Sequence, residues 1–170
     1  MELIDYMGNK IQTGDCPACD FAEKKVSLPC GTVYEDDKIS IMQDWELPID
    51  GFIVVSPNRH IEFVQELSAK ERNHMFKYVT KCLKALRGEI GICDEYNVIF
   101  EEKRNRHFHI WLMPRHEWMK QFGTTKNIGA IQNYAKEHLR TKEEFDKIDK
   151  TVKKLREILS RDKEKSCLQK

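Results

Sequence analysis

The run His107-Phe108-His109-Ile110-Trp111-Leu112-Met113 alternates strictly between two kinds of side chain and is closed by Pro114. Successive side chains of a strand point to opposite faces. A strand here puts Phe108, Ile110 and Leu112 on one face, and His107, His109, Trp111 and Met113 on the other. The first set makes a core face. The second holds two imidazoles about 6.5–7 Å apart, close enough to serve one substrate or to divide between a metal and a substrate. Half-buried sheets also carry surface histidines with no shared task, so the pair is interpreted by what surrounds it.

Other segments supply partners for such a strand. Thr32-Val33-Tyr34, Ile39 to Met42, Gly51 to Val55 and Tyr96 to Phe100 read as short strands, the first two around the turn Glu35 to Lys38. Ser68-Ala69-Lys70-Glu71 has the form of a capping box. It opens a helix with Met75, Phe76, Val79, Cys82, Leu83 and Leu86 at helical spacing, stopping near Gly88. A second capping box, Thr141 to Glu144, starts a helix with the stripe Phe145, Ile148, Val152, Leu155 and Ile158/Leu159. The pattern predicts an α+β fold, an antiparallel sheet with a crossing helix plus a C-terminal helical extension. The expected organisation is a loosely structured N-terminal segment over 1–14, the sheet domain over 15–118, and an extension over 119–170 packed on the same domain.

Bulk properties narrow the function. A chain of 170 residues with net charge +1 has no global field that would point to nucleic acid or an anionic membrane. It lacks an apolar run of membrane-spanning length, and its first residues are acidic rather than basic-then-apolar, so the expected location is cytoplasmic. The six cysteines do not read as a disulfide scaffold in a chain of this length without an export signal. Cys82 reads as a small buried hydrophobe, and Cys93 and Cys167 have no partner motif. Only Cys16-Pro17-Ala18-Cys19 has informative spacing. Such a pair supplies two zinc ligands from one turn and needs two more from elsewhere. A redox pair is the competing reading, but that motif belongs at a strand-to-helix junction that is not apparent here.

The order and spacing of several segments resemble the histidine triad (HIT) superfamily over roughly residues 15 to 116. They are Val33 to Asp37, Asp44, Gly51 to His60, Leu67-Ser68, Asn97, and His107 to Arg115. The resemblance implies a nucleotidyl-histidine mechanism with His109 as the nucleophile attacking an α-phosphate, passing the nucleotide to water, phosphate or another acceptor. A neutral imidazole suits that chemistry, since it attacks without first losing a proton. It also implies that Asp44, eight residues before Phe52, binds ribose hydroxyls, and that Asn97 lies near the phosphates. Bacterial relatives of this type imply a structural zinc held by Cys16, Cys19, His60 and His107, with Cys30 as a spare donor, and the family implies a homodimer.

The family pattern is broken in three places. Trp111 stands where the third histidine of the triad would be, and an indole has one donor and no acceptor. The galactose-1-phosphate uridylyltransferases and diadenosine-tetraphosphate phosphorylases, with glutamine there, are nonetheless enzymes. Phe52 replaces a histidine after Gly51. The usual Gly-Gln-Ser/Thr phosphate loop is replaced by Glu101 to Arg106, in which Lys103, Arg104 and Arg106 either take over phosphate binding or form a solvated hairpin turn. Asn105 shares a face with His107 and His109 by alternation and is the loop residue expected to touch a ligand, as is Trp111 at the mouth of the pocket. His74, His116 and His138 read as surface positions. The leading expectation is a zinc-stabilised nucleotide hydrolase or nucleotidyltransferase. The alternatives are a HIT-fold nucleotide-binding module without turnover, or an interaction protein that uses the fold as a scaffold for its helical tail.

Overall fold

The computed structural model describes residues 1–123 and 127–167. Its central element is a five-stranded antiparallel sheet made of β3 (Thr32–Glu35), β4 (Ile39–Gln43), β5 (Ile53–Pro57), β6 (Tyr96–Glu101) and β7 (His109–Pro114), in the order β3-β4-β5-β7-β6. A hairpin of β1 (Glu2–Ile4) and β2 (Lys10–Gln12), a short helix α1 (Pro17–Ala22), and helices α2 (Ala69–Ala85), α3 (Ile128–His138) and α4 (Lys142–Cys167) complete it.

The alternation of β7 divides the molecule. Phe108, Ile110 and Leu112 are at most 1% exposed and face a core shared with α2 and α4. In α2, Met75, Val79 and Cys82 turn inward as their spacing requires. The Ser68 capping box forms as read: the Glu71 amide donates to Ser68 Oγ and the Ser68 amide to Glu71 Oε2. In α4 the residues Ile148, Val152, Leu155 and Leu159 are fully buried in the same core. Arg156 pins α4 to the sheet by donating to the carbonyls of Thr32 and Cys30. The helical extension thus buries its apolar stripe on the sheet rather than presenting it to a partner.

The opposite face of the sheet is covered in two separate patches. One is built from Phe52, Met113, Met119, Ile131 and Ala135, under a 3₁₀ segment Glu117–Phe122 and α3. The other is built from Ile11, Phe21, Met42 and Val54, under the β1–β2 hairpin and α1. Neither cover matches the sequence reading in detail. The N-terminal residues form a hairpin, closed by Asp5, whose Oδ1 accepts the amides of Met7 and Asn9. The stretch after Cys16 contains a helical turn, and helix α3 falls within the helical extension expected over 119–170, ahead of the one helix whose stripe places it there.

Two smaller differences have clear causes. Helix α2 continues as a π-helical turn, Leu86–Ile90, because Gly91, at φ 74°, and not Gly88, takes the left-handed position that ends it. His74 is no surface residue. Its Nε2 donates to Asp36 Oδ2 at 2.6 Å, and the same oxygen accepts the Tyr34 hydroxyl at 3.0 Å. Asp36 Oδ1 meanwhile accepts the amides of Lys38 and Ile39, so one carboxylate closes the β3–β4 turn and ties it to α2. Gly51 is required where it stands: its φ is 75°, and a Cβ would lie 3.1 Å from Ile92 Cγ2.

Candidate functional site

His107 lies one residue pair before β7 and is only 5% exposed. Its Nε2–H donates to the carbonyl of Pro57 at 2.8 Å, which leaves Nδ1 as the lone-pair nitrogen. That atom faces Cys16 Sγ at 3.6 Å and Cys19 Sγ at 3.5 Å, while His60 Nδ1 lies 3.5 Å from Cys19 Sγ. The four donor atoms all lie within 4.8 Å of one another. Zinc–sulfur bonds of about 2.3 Å and zinc–nitrogen bonds of about 2.0–2.1 Å around a tetrahedral centre separate sulfur from nitrogen by about 3.6 Å. The observed sulfur–nitrogen distances are therefore the edges of a zinc-sized tetrahedron, and this donor set can hold a metal ion. Burial pushes His107 down to about 4, so its ring is neutral and free to ligate at neutral pH. The bond to Pro57 also fixes the ring's orientation from behind. Cys30 does not join this group; its Sγ lies 2.9 Å from the Tyr6 hydroxyl on the other side of the sheet.

His109 follows two residues on, pointing from the same face. Its Nδ1–H donates to the carbonyl of His107 at 2.9 Å, leaving Nε2 as the unprotonated nitrogen. Burial lowers its basicity, partly offset by that hydrogen bond and by the charge of Glu101. The ring is thus held as a neutral base.

Two of the departures from the family pattern turn out to be one contact. Phe52 is fully buried and meets the ring of Trp111 edge to face, with centroids 5.3 Å apart at 86°. Both belong to the apolar patch under α3. An apolar pair at these positions is what a helix packed on this end of the sheet needs. Trp111 also stands beside His109, with centroids 5.8 Å apart.

Beside the patch under α1 lies a cleft of about 560 Å³, within the range of small-molecule sites. His109 and Trp111 form its floor; Asp44, Trp45 and Glu46 line it, as do Lys103, Asn105 and Arg106 of the β6–β7 turn. Asn105 holds a left-handed backbone at φ 62°. Trp45, Glu46 and Glu101 were not singled out from sequence; the signal for the first two was their adjacency to Asp44. Asn97 is not brought to the cleft. It pairs with Met113 on the face covered by α3, and its Nδ2 is buried with no hydrogen-bond partner among the described residues. A second groove, of about 610 Å³, runs past Lys24, Gly31 and Ser160, but has none of these histidines or cysteines.

Asp44 is 6% exposed. Its Oδ1 accepts the amides of Glu46 at 3.0 Å and Leu47 at 2.8 Å, while Oδ2 takes no hydrogen bond among the described residues. Burial pushes the carboxyl up to about 7 despite those two amides. A raised acid binds more protons folded than unfolded, so it costs stability as pH climbs from its unfolded value near 3.8 to about 7. Asparagine keeps the Oδ1 acceptor without the charge. Asp44→Asn should therefore gain melting temperature relative to wild type as pH is raised from about 4 to about 8; a difference that is flat or falling over that range would contradict the account.

Comparison with known proteins identifies the fold and the family. The model of the HIT domain matches residues 25–118. An uncharacterized HIT-like protein of Methanocaldococcus jannaschii is 28% identical over 109 residues, covering 59% of this chain and 83% of the relative. Among solved structures, a hypothetical histidine triad nucleotide-binding protein of Sulfolobus tokodaii superposes with a TM-score of 0.60 at 20% identity, covering 86% of this chain and 95% of that one. A zinc-bound histidine triad family protein of Mycobacterium smegmatis gives 0.59 at 16% identity, over 87% and 96%. These structural likenesses establish the fold, and with the match over more than half its length the chain belongs to the HIT domain family.

Proposed function

We propose that this chain is a zinc-stabilised nucleotide hydrolase or nucleotidyltransferase that acts at an α-phosphate through a nucleotide covalently held on His109. The observation that carries the reading is the tautomer of His109. With Nδ1–H committed to the His107 carbonyl, the lone pair of Nε2 is available in a cleft with a carboxylate at Asp44 and cations at Lys103 and Arg106. The free Oδ2 of Asp44 suits ribose hydroxyls. Lys103, Arg106 and the Asn105 amide suit phosphate oxygens, and the indole of Trp111 offers a surface to the base or the nucleoside. Asn97 is assigned no contact with substrate.

In this reading His109 Nε2 bonds to the α-phosphorus as the bond to the leaving group breaks, and that group, a phosphate oxygen or an amine nitrogen, departs with the electron pair. Zinc would be held by Cys16, Cys19, His60 and His107, supplying a cross-link rather than a Lewis acid. It would tie α1 and the loop after β5 to the start of β7, and so support the wall and floor of the cleft together. The homodimer expected of the family has a suitable edge: β6 is the last strand of the sheet, and Phe76, Val98 and Phe100 are exposed at 43%, 43% and 42% beside it. The chemistry proposed needs a nucleotide, not a nucleic acid or a membrane; among the described residues no helix is long and apolar enough to cross one.

A second reading is favoured by the Phe52–Trp111 contact, which leaves no third histidine beside His109. In that reading the cleft binds nucleotides without turnover. Incubation with adenosine and guanosine phosphoramidates and dinucleoside polyphosphates, followed by acid-free intact mass measurement, separates the two. The covalent reading expects turnover and a nucleotide-sized mass increment that disappear together in His109→Ala. Binding without adduct or turnover across the panel would establish the binding module instead. Metal analysis checks the cross-link. One zinc per chain is expected, lost in Cys19→Ser, with a melting temperature lower by roughly 5 °C or more. Wild-type protein purified without near-stoichiometric zinc, and melting as Cys19→Ser does, would exclude it.

A further inference from the structure

We propose that Glu101 is the catalytic base that activates the water releasing the nucleotide from His109; the role rests on the covalent reading above. Glu101 is the last residue of β6 and the direct cross-strand partner of His109 on β7. Residues opposed in an antiparallel pair share a face, with Cβ atoms about 4.5–5.5 Å apart. Both side chains line the cleft, and the charge of Glu101 is felt by His109. Its carboxylate has no hydrogen bond or ion pair among the described residues. The next residue, Glu102, turns away and accepts the amide of Val64 at 2.6 Å. The strand therefore presents one uncommitted carboxylate at the level of the nucleophile.

The other groups around the cleft are less suited. Trp111, next along the floor, has no basic atom. Glu46 is ion-paired with Lys136 of α3, and Asp44 has half its carboxylate committed to the turn that follows it. Asp15, from the loop before α1, also reaches the cleft, but has no cross-strand relation to His109. Lys103 and Arg106 line the same cleft, and their charges oppose the repulsion between the Glu101 carboxylate and a bound phosphate.

The step balances. A water oxygen bonds to phosphorus as one of its protons passes to the Glu101 carboxylate. The phosphorus–Nε2 bond breaks and its electron pair returns to His109. The product is a nucleoside monophosphate, and Glu101 returns the proton to solvent. A pocket that carries its proton acceptor on the neighbouring strand has no need of a third histidine at Trp111.

The test separates formation of the adduct from its breakdown, in zinc-loaded protein with adenosine phosphoramidate and diadenosine tetraphosphate as probes. Glu101→Gln should form the His109 adduct at close to the wild-type rate. It should hydrolyse it about 100-fold or more slowly, so that the adduct accumulates toward one per chain in intact mass spectra. Glu101→Asp should recover part of the rate. Wild-type hydrolysis in Glu101→Gln, equal loss of both steps, or accumulation in Asp15→Asn instead would overturn the assignment. If no protein forms an adduct, wild type included, while nucleotide still binds, the covalent reading itself fails and the role of Glu101 falls with it.

Discussion

The hydrogen bond from His107 Nε2 to the carbonyl of Pro57 joins β5 to the residues that lead into β7, and the rest of the site depends on it. It selects which nitrogen of His107 keeps a lone pair, and that nitrogen faces the two cysteines. The His107 carbonyl then takes the Nδ1–H of His109 and selects the tautomer of the next imidazole along. Two backbone carbonyls thus assign opposite nitrogens to opposite tasks, one ring donating from Nε2 and the other from Nδ1. An alternating strand makes the division possible, because it sends both rings to one face while Phe108, Ile110 and Leu112 hold the other face in the core.

Burial gives the arrangement its chemistry at a cost to stability. His107 and His109 are kept neutral by desolvation, and Asp44 is held against its preference to ionise. Such groups persist when the surrounding packing over-determines them. Here α1 and the N-terminal hairpin cover one part of this sheet face, and α3 with the Glu117–Phe122 segment covers another. The ion pair from Lys136 of α3 to Glu46 joins the second cover to the turn that carries Asp44. The helical extension thus braces a residue of the cleft wall, Glu46, as well as contributing to the core.

Much of this was legible in the residue pattern. The core face of β7, the capping box at Ser68 and the stripe of α4 follow from period and cap chemistry, and the grouping of Cys16, Cys19, His60 and His107 from family resemblance. What was not legible depended on pairing between distant strands or on elements too short to show a period. Strands β1 and β2 have three residues each, fewer than an alternation needs to declare itself. Helix α3, with Asn127 as its N-cap, has no acidic residue in its first turn and so lacks the capping-box pattern that marks α2. Asn97 matched by spacing, but its place beside Met113 puts it under α3. The Glu101–His109 pairing is a matter of register, invisible until β6 is set against β7. Phe52 and Trp111 were each read as an isolated departure, and only the fold reveals a single aromatic contact that seats the extension.

The backbone holds His109 as the Nδ1–H tautomer with a free lone pair at Nε2. Long-range proton–nitrogen correlation spectra of the zinc-loaded protein near neutral pH, with His109 assigned by its loss in His109→Ala, read this directly. The account predicts a protonated Nδ1 and an unprotonated Nε2. A proton on Nε2, whether in the other neutral tautomer or in an imidazolium, would contradict it.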